Sequence, residues 1–460
     1  MFEQAKLLRA DGRLHPVMIL ATDAMAEKAQ ACRDAQIGYV EVTGEIEAQL
    51  PPKGLMGGVL LERIERWCQK HEWLGSRLPL CLVRAAHLRR RLRAEYAVFS
   101  AVCRRIAPAA IIVPGDRELS PVPALLRAAL DLGIPTIIGF SGVPYRGGGV
   151  EFARASSNRF RVAWRDLPPL LNVIAARRHP GQRCNTPYGA RLFSPGWLVL
   201  VLAELGMLSA NPWVQGGGNT RYVLQHNRRW MDHFETLGVS RDKLVLIGDP
   251  ELDGLYKACR EGGAIRSQFL PQLTLDSGKA LAVVAVPNDY EHNVCDLESH
   301  LGRMDRFLSN LARPDLAVLL ALHPKSSRHT YQNIASKYGF HFADQPLTHV
   351  LPSADLFICS CSSSVLFAKL AAVPTINLDY LGVRDDDFRN VPGLVNVETA
   401  EDFAHELDRY GGGVGPTASK QIENYAAELA RETLFDGHAG QRFCEFLLEI
   451  AQQRKIEAAA

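Results

Sequence analysis

The sequence predicts an α/β protein built from two Rossmann-like domains whose parallel sheets face a central cleft. Three observations predict it. Short, near-continuous apolar runs alternate with helical segments along most of the chain, the pattern of parallel strands buried on both faces. One stretch spells out strand, polar turn, helix and strand in succession: Ala109–Pro114, Gly115–Ser120, Pro121–Leu132 and Pro135–Phe140. That order is the βαβ unit of a parallel sheet. Finally, 460 residues exceed one ordinary core but suit two domains of roughly 200 residues each.

In chain order, His15–Ala21 reads as a strand, Ala24–Ala35 as a helix and Gly38–Thr43 as the next strand. A long helix carrying Arg89, Arg90, Arg91 and Arg93 runs through Val83–Ile106, ahead of the βαβ unit. Strands recur at Leu244–Ile247, Leu281–Val286, Leu316–Leu322, Leu356–Cys359 and Thr375–Leu378, and three helices follow Thr399. Between the halves lies an irregular, basic region, 142–219, too long for a plain loop. The boundary is placed near its end, giving residues 1–225 as an acceptor-side domain and 226–460 as a donor-binding domain with terminal helices.

Composition narrows the class. A 47% hydrophobic, 22% charged chain is that of a soluble globular protein, and a net charge of +2 makes no case for nucleic acid. Met1–Pro16 is charged and lacks an apolar h-region, so no secretory signal is expected. The longest apolar run, Gly196–Leu208, is broken by Glu204 and falls short of a membrane span. The ten cysteines are scattered; Cys359 and Cys361 sit in a strand pattern and read as buried reduced thiols, which implies a cytoplasmic location. No metal-ligand spacing, GxGxxG turn or Walker motif stands out, which argues against a dinucleotide oxidoreductase and a P-loop NTPase.

Ligands of open parallel sheets bind at the carboxyl ends of strands, so chemistry is sought in the turns that follow them. Gly115-Asp116-Arg117-Glu118 is one such turn. Asp116 or Glu118 could serve as general base on an acceptor hydroxyl, and Arg117 could meet a phosphate; alternatively the acids merely complement a helix N-terminus. His323-Pro324-Lys325-Ser326-Ser327 follows a very apolar strand and offers an imidazole, a cation and hydroxyls to a phosphate; a polar turn that happens to contain histidine is the plainer alternative. Ser360-Cys361-Ser362-Ser363-Ser364 precedes a helix, where one serine would suffice as a cap and three consecutive ones suggest an anion cradle. Gly216-Gly217-Gly218-Asn219 permits close backbone approach, to an acceptor or within a hinge. Basic residues from Arg146 to Arg191, interleaved with Trp164, Tyr188, Phe193 and Trp197, suggest either peripheral contact with an anionic membrane or a solvated face beside a core helix.

With these residues laid out, the chain resembles GT-B glycosyltransferases. More narrowly, it looks like bacterial enzymes of surface-carbohydrate synthesis: capsular sialic acid and Kdo transferases and CDP-glycerol glycerophosphotransferases. The carriers are His323-Pro324 and Ser362-Ser363-Ser364, which in such families hold the phosphate and sugar of the nucleotide donor. The run Val239–Asp253 is similar to their "GxxxxKIxxxGxPxxD" linker, and Asn211–Asn219 to the segment before it. The resemblance spans roughly residues 100 to 400. Gly115-Asp116-Arg117-Glu118 departs from the usual acidic motif and is similar to the "GDR" turn of UDP-N-acetylglucosamine 2-epimerases.

The resemblance implies a metal-independent transferase with no resident cofactor. His323, Lys325 and Ser362–Ser364 would bind a CMP-, CDP- or UDP-linked donor, and Asp116 or Glu118 would deprotonate a glycan or lipid-linked acceptor. An epimerase is the second expectation, although Val365-Leu-Phe-Ala stands where its acidic residues would follow the serines. A catalytically silent sugar-nucleotide-binding scaffold is the third.

Overall fold

Most of the apolar runs become strands, and the strands sort into two main parallel sheets. The structure, a computed structural model, describes residues 2–21, 25–50, 78–117, 121–139, 162, 170–186, 189–269, 279–291, 295–323, 326–382, 388–410 and 416–459.

Two strands near the start, β1 (Val17–Leu20) and β2 (Gly38–Glu41), form a parallel pair. The main sheet of the first unit takes β3 (Ile111–Val113) and β4 (Thr136–Ile138) from the βαβ stretch. A separate antiparallel hairpin follows, β5 (Arg183–Thr186) and β6 (Gly189–Leu192). The main sheet is then completed by β7 (Tyr222–Gln225) and β8 (Leu244–Leu246), giving the order β3-β4-β7-β8. The first unit thus runs to Ile247, and it is joined again by Gln441–Ala460. Phe443, Cys444, Leu447 and Ile450 of the final helix, Ala439–Ala459, pack with Leu8, Ile137, Leu224 and Ile247 in one buried cluster. Each such side chain taken fully out of water contributes about 1.5–3 kcal/mol.

These assignments move the boundary expected at residue 225. The strand β8 and the helix before it (Arg228–Thr236) belong to the first sheet, and so does the last helix, rather than to a domain 226–460. The physical reason is β7. Tyr-Val-Leu-Gln is a four-residue strand inside a polar stretch, with no extended apolar run to announce it, yet it bridges β4 and β8.

The second unit, Gly248–Gly440, holds a six-stranded parallel sheet. Its strands are β9 (Ala280–Ala285), β10 (Leu316–Ala321), β11 (His341–Phe342), β12 (Leu356–Cys359), β13 (Thr375–Leu378) and β14 (Leu394–Val397), in the order β11-β10-β9-β12-β13-β14. Side chains alternate between two cores. Val318 and Leu320 of β10 enter one apolar cluster, while Ala317, Leu319 and Ala321 enter another. Both faces are covered, which is why β9 and β10 read as unbroken apolar runs rather than alternating ones.

The run Gly196–Leu208 begins with a helix, Gly196–Glu204, whose Leu198, Val201 and Leu202 are buried against the long helix Leu78–Ile106. No helix among the described residues is long and apolar enough to cross a membrane. The cysteines among the described residues form no disulfide.

Candidate functional site

The order of the second sheet locates a crevice. From β9 the chain passes to β10 on one side, and β12 then returns to the other side of β9. An open parallel sheet takes its ligand where such connections diverge, outside the carboxyl ends of the strands. The turns at that edge are, in spatial order, His323 and Ser326 after β10, Pro287–Glu291 after β9, Ser360–Ser364 after β12 and Tyr380 after β13. Two of the sequence-predicted constellations therefore share one edge, with a third turn between them that the sequence reading passed over.

The serine turn is held from below. The backbone N–H of Cys361, a non-glycine residue at φ +41°, donates to Asn377 Oδ1 at 2.7 Å, and Asn377 is fixed in turn by donating to Asn396 Oδ1 at 2.9 Å. Ser364 is buried and its hydroxyl donates to Ser362 Oγ at 2.8 Å, whereas Ser363 is exposed. The turn thus fixes two hydroxyls against each other and presents the third outward. The helix that follows, Val365–Leu370, is anchored by Lys369, whose Nζ is buried and donates to Gly393 O at 2.9 Å and Pro392 O at 3.4 Å. Burial strips that ammonium of solvent and lowers its pKa to about 8.

Beside this turn lies a buried polar network. Asp289 Oδ2 accepts from Tyr380 Oη at 2.7 Å and Arg303 Nη1 at 3.4 Å, and the Ser360 hydroxyl lies close to the same tyrosine. His300, fully buried, places Nε2 at 3.0 Å from Tyr331 Oη, which also lies 3.2 Å from Glu291 Oε1. Burial, with Asp289 and Glu291 alongside, pushes both phenols well above the ordinary tyrosine range. Burial also lowers the His300 pKa, with the same two carboxylates opposing it. His300 Nδ1 and Glu291 Oε2 are buried with no hydrogen-bond partner among the described residues. Unmet polar groups inside a fold call for an explanation, such as an ordered water or a bound ion.

The first unit contrasts with this. Asp116 is buried and both its oxygens are occupied: Oδ1 accepts from Gly216 N at 3.0 Å, and Oδ2 accepts from Gly218 N at 2.8 Å and Thr220 Oγ1 at 3.0 Å. Lys243 Nζ donates to the carbonyls of Gly216 and Gly218 at 3.3 and 2.8 Å. The glycines are therefore a packed loop and not a hinge. Gly216 has φ +86°, and a Cβ on Gly217 would collide with the Asn211 carbonyl oxygen. Two predicted groups, the acidic turn and the glycine loop with its neighbour Asn219, form one clasp in which Asp116 accepts three hydrogen bonds. Arg117 is half-buried beside it. Glu118, Pro324 and Lys325 lie outside the described residues, as do Arg146, Arg154, Arg159, Arg161, Arg165, Trp164 and Tyr188 of the basic stretch. Arg191 of that stretch is buried, and Trp197 receives the Arg84 guanidinium over its ring at 4.9 Å.

The linker motif also has a concrete task. Asp253, its final acid, accepts from Ala439 N at 3.0 Å and Gly440 N at 2.7 Å, capping the start of the last helix from 186 residues away.

No protein-family model matches the chain, and no curated protein matches it. Solved structures do. UDP-GlcNAc 2-epimerase from Neisseria meningitidis, bound to UDP-GlcNAc, is similar over 98% of this chain and 96% of its own, with a TM-score of 0.51 and 10% identity. A glycosyltransferase from Rickettsia africae matches over 97% and 93%, with a TM-score of 0.47 and 11% identity. The wall teichoic acid polymerase TagF matches over 51% of this chain with a TM-score of 0.38 and 17% identity, and the chain spans 59% of that structure's length. The likeness to the epimerase shows the fold: a GT-B-like pair of parallel α/β units.

Proposed function

We propose that the chain is a glycosyltransferase that moves a sugar, or a polyol phosphate, from a nucleotide-activated donor to a glycan or lipid-linked acceptor of the cell surface. The observation that supports it most is the single sheet edge bearing His323, the outward Ser363 and the polar network around Asp289. An imidazole and hydroxyl donors at the divergence point of an open sheet suit a nucleotide's phosphates. Hydrogen bonds to the leaving phosphate would meet the charge that develops as the glycosidic bond breaks. In this reading protein donors carry that role, Lys325 adding to His323 while Pro324 fixes the backbone beside the imidazole, and no step is assigned to a metal. Asp116 or its neighbour Glu118 would serve as the acceptor base. Peripheral contact with a membrane is the weaker part of the proposal, because the apolar helix offered for it packs inward.

The test is a thermal-shift screen against CMP, CDP, UMP, UDP, GDP and ADP, with and without magnesium. A ligand bound only by the native state raises the melting temperature. A shift with one nucleotide that disappears in His323→Ala and Ser363→Ala names the donor's base. Absence of any shift with every one of these nucleotides removes the proposal.

A second reading, an epimerase acting on a UDP-sugar, gains from Asp289 and Glu291. Proton transfer at a sugar carbon needs carboxylates, and these two stand at the crevice where the sequence suggested none. Incubation with UDP-GlcNAc in D2O separates the readings. An epimerase that moves the C2 proton incorporates deuterium there, whereas a transferase leaves the sugar protonated.

A further inference from the structure

We propose that Asp289, Cys295 and His300 form a binding site for a zinc-class divalent cation, which fastens the turn after β9. The three side chains bring a carboxylate, a thiol and an imidazole together so that the ligand atoms lie within 4.8 Å of one another. The imidazole turns this cluster into a site. His300 is 0% exposed, and its Nδ1 has no hydrogen-bond partner among the described residues. Its other nitrogen, Nε2, lies 3.0 Å from Tyr331 Oη. That hydroxyl also lies 3.2 Å from Glu291 Oε1 and 3.4 Å from Pro287 O, both acceptors, and the tautomer with its proton on Nε2 is the one that offers Nδ1 to a metal.

Nδ1 lies 3.9 Å from Asp289 Oδ2, with the Cys295 sulfur in the same space. Imidazole, thiolate and carboxylate are zinc's ligand types, and three protein ligands leave a fourth position for water. Tyr331 supplies the outer contact that orients a ligating histidine, and Arg303 and Tyr380 both donate to Asp289 Oδ2, which leaves Oδ1 for the cation. Charge agrees as well. Asp289, Glu291 and a Cys295 thiolate outnumber the Arg303 guanidinium by two negative charges, which a dication cancels. The ligand atoms need to draw in by about 1 Å to reach tetrahedral separations. Cys295 can supply that movement, since it lies just before the helix Leu297–Leu308 and its Asp296 cap. The site stands whether or not the chain transfers sugars.

The test uses the full chain, stripped with a chelator and titrated with Zn2+ or Co2+ alone. The expected result is one equivalent of tightly held metal, a thiolate-to-cobalt charge-transfer band, and a rise in melting temperature with Zn2+. His300→Gln and Cys295→Ser should each weaken binding by about 100-fold, and Cys295→Ser should also abolish the band. If His300→Gln fails to fold, Cys295→Ser decides alone, because that residue is half-buried in a turn. Failure of the wild type to retain metal, or a band that persists in Cys295→Ser, overturns the site.

Discussion

The Asp116 clasp in the first unit and the Asp289 network in the second are both buried, acidic and placed after strands, yet they differ in how completely they are satisfied. Both oxygens of Asp116 are bonded, and every named donor around it is internal to the glycine loop. Around Asp289, buried atoms of His300 and Glu291 lack partners. A closed network holds a loop in place; an open one waits for a ligand. The sequence reading singled out Asp116 and passed over Asp289.

This contrast can be broken by substitution. Asp116→Ala strands two buried N–H groups and a hydroxyl, and is expected to cost about 4 kcal/mol of unfolding free energy by denaturant titration. A loss below about 1 kcal/mol would mean that the clasp is not structural. Gly217→Ala is expected to cost about 3 kcal/mol by forcing the loop from the Asn211 carbonyl.

A pH comparison sharpens the picture beneath the serine turn. Lys369 titrates at about 8 in the fold, against about 10.4 when solvated. Between those values the unfolded chain binds more protons, so this lysine's penalty on folding eases as pH rises. The easing amounts to about 2 kcal/mol between about pH 8 and 9.5. Lys369→Met removes it, so the stability of wild type relative to the variant should grow over that interval. A difference that stays constant with pH would show a lysine already solvated. The smallest expected stability effect belongs to the open site itself. Ser363→Ala should change stability by less than about 0.5 kcal/mol while abolishing the nucleotide-induced thermal shift.

Much of the second sheet was legible because its strands are buried on both faces, so β9, β10, β12 and β13 appear as apolar blocks. The short elements were not. β7 is a Tyr-Val-Leu-Gln strand in polar surroundings, β11 is two residues long, and β5 and β6 form a hairpin within the basic region. For the site, reading turns after strands found His323 and the serines. The same rule applied to β9 would have found Pro287-Asn288-Asp289-Tyr290-Glu291, but no repeated residue type draws the eye to it. His300 reaches that turn from the next helix, whereas Tyr331 and Tyr380 reach it from a helix and a turn some 40 and 91 residues along the chain, which only the fold reveals. The partners of Asp116 are likewise 100 to 104 residues away, so its satisfaction could not be read locally.

The return of the last helix to the first unit reverses the order of synthesis and maturation. As the chain leaves a ribosome, Ile137, Leu224 and Ile247 emerge long before Phe443, Leu447 and Ile450, which cover them. At common elongation rates the intervening residues, 248–440, take on the order of ten to forty seconds to make. For that interval the second unit can complete its core while the first keeps an apolar face open to solvent, a natural place for a chaperone to act.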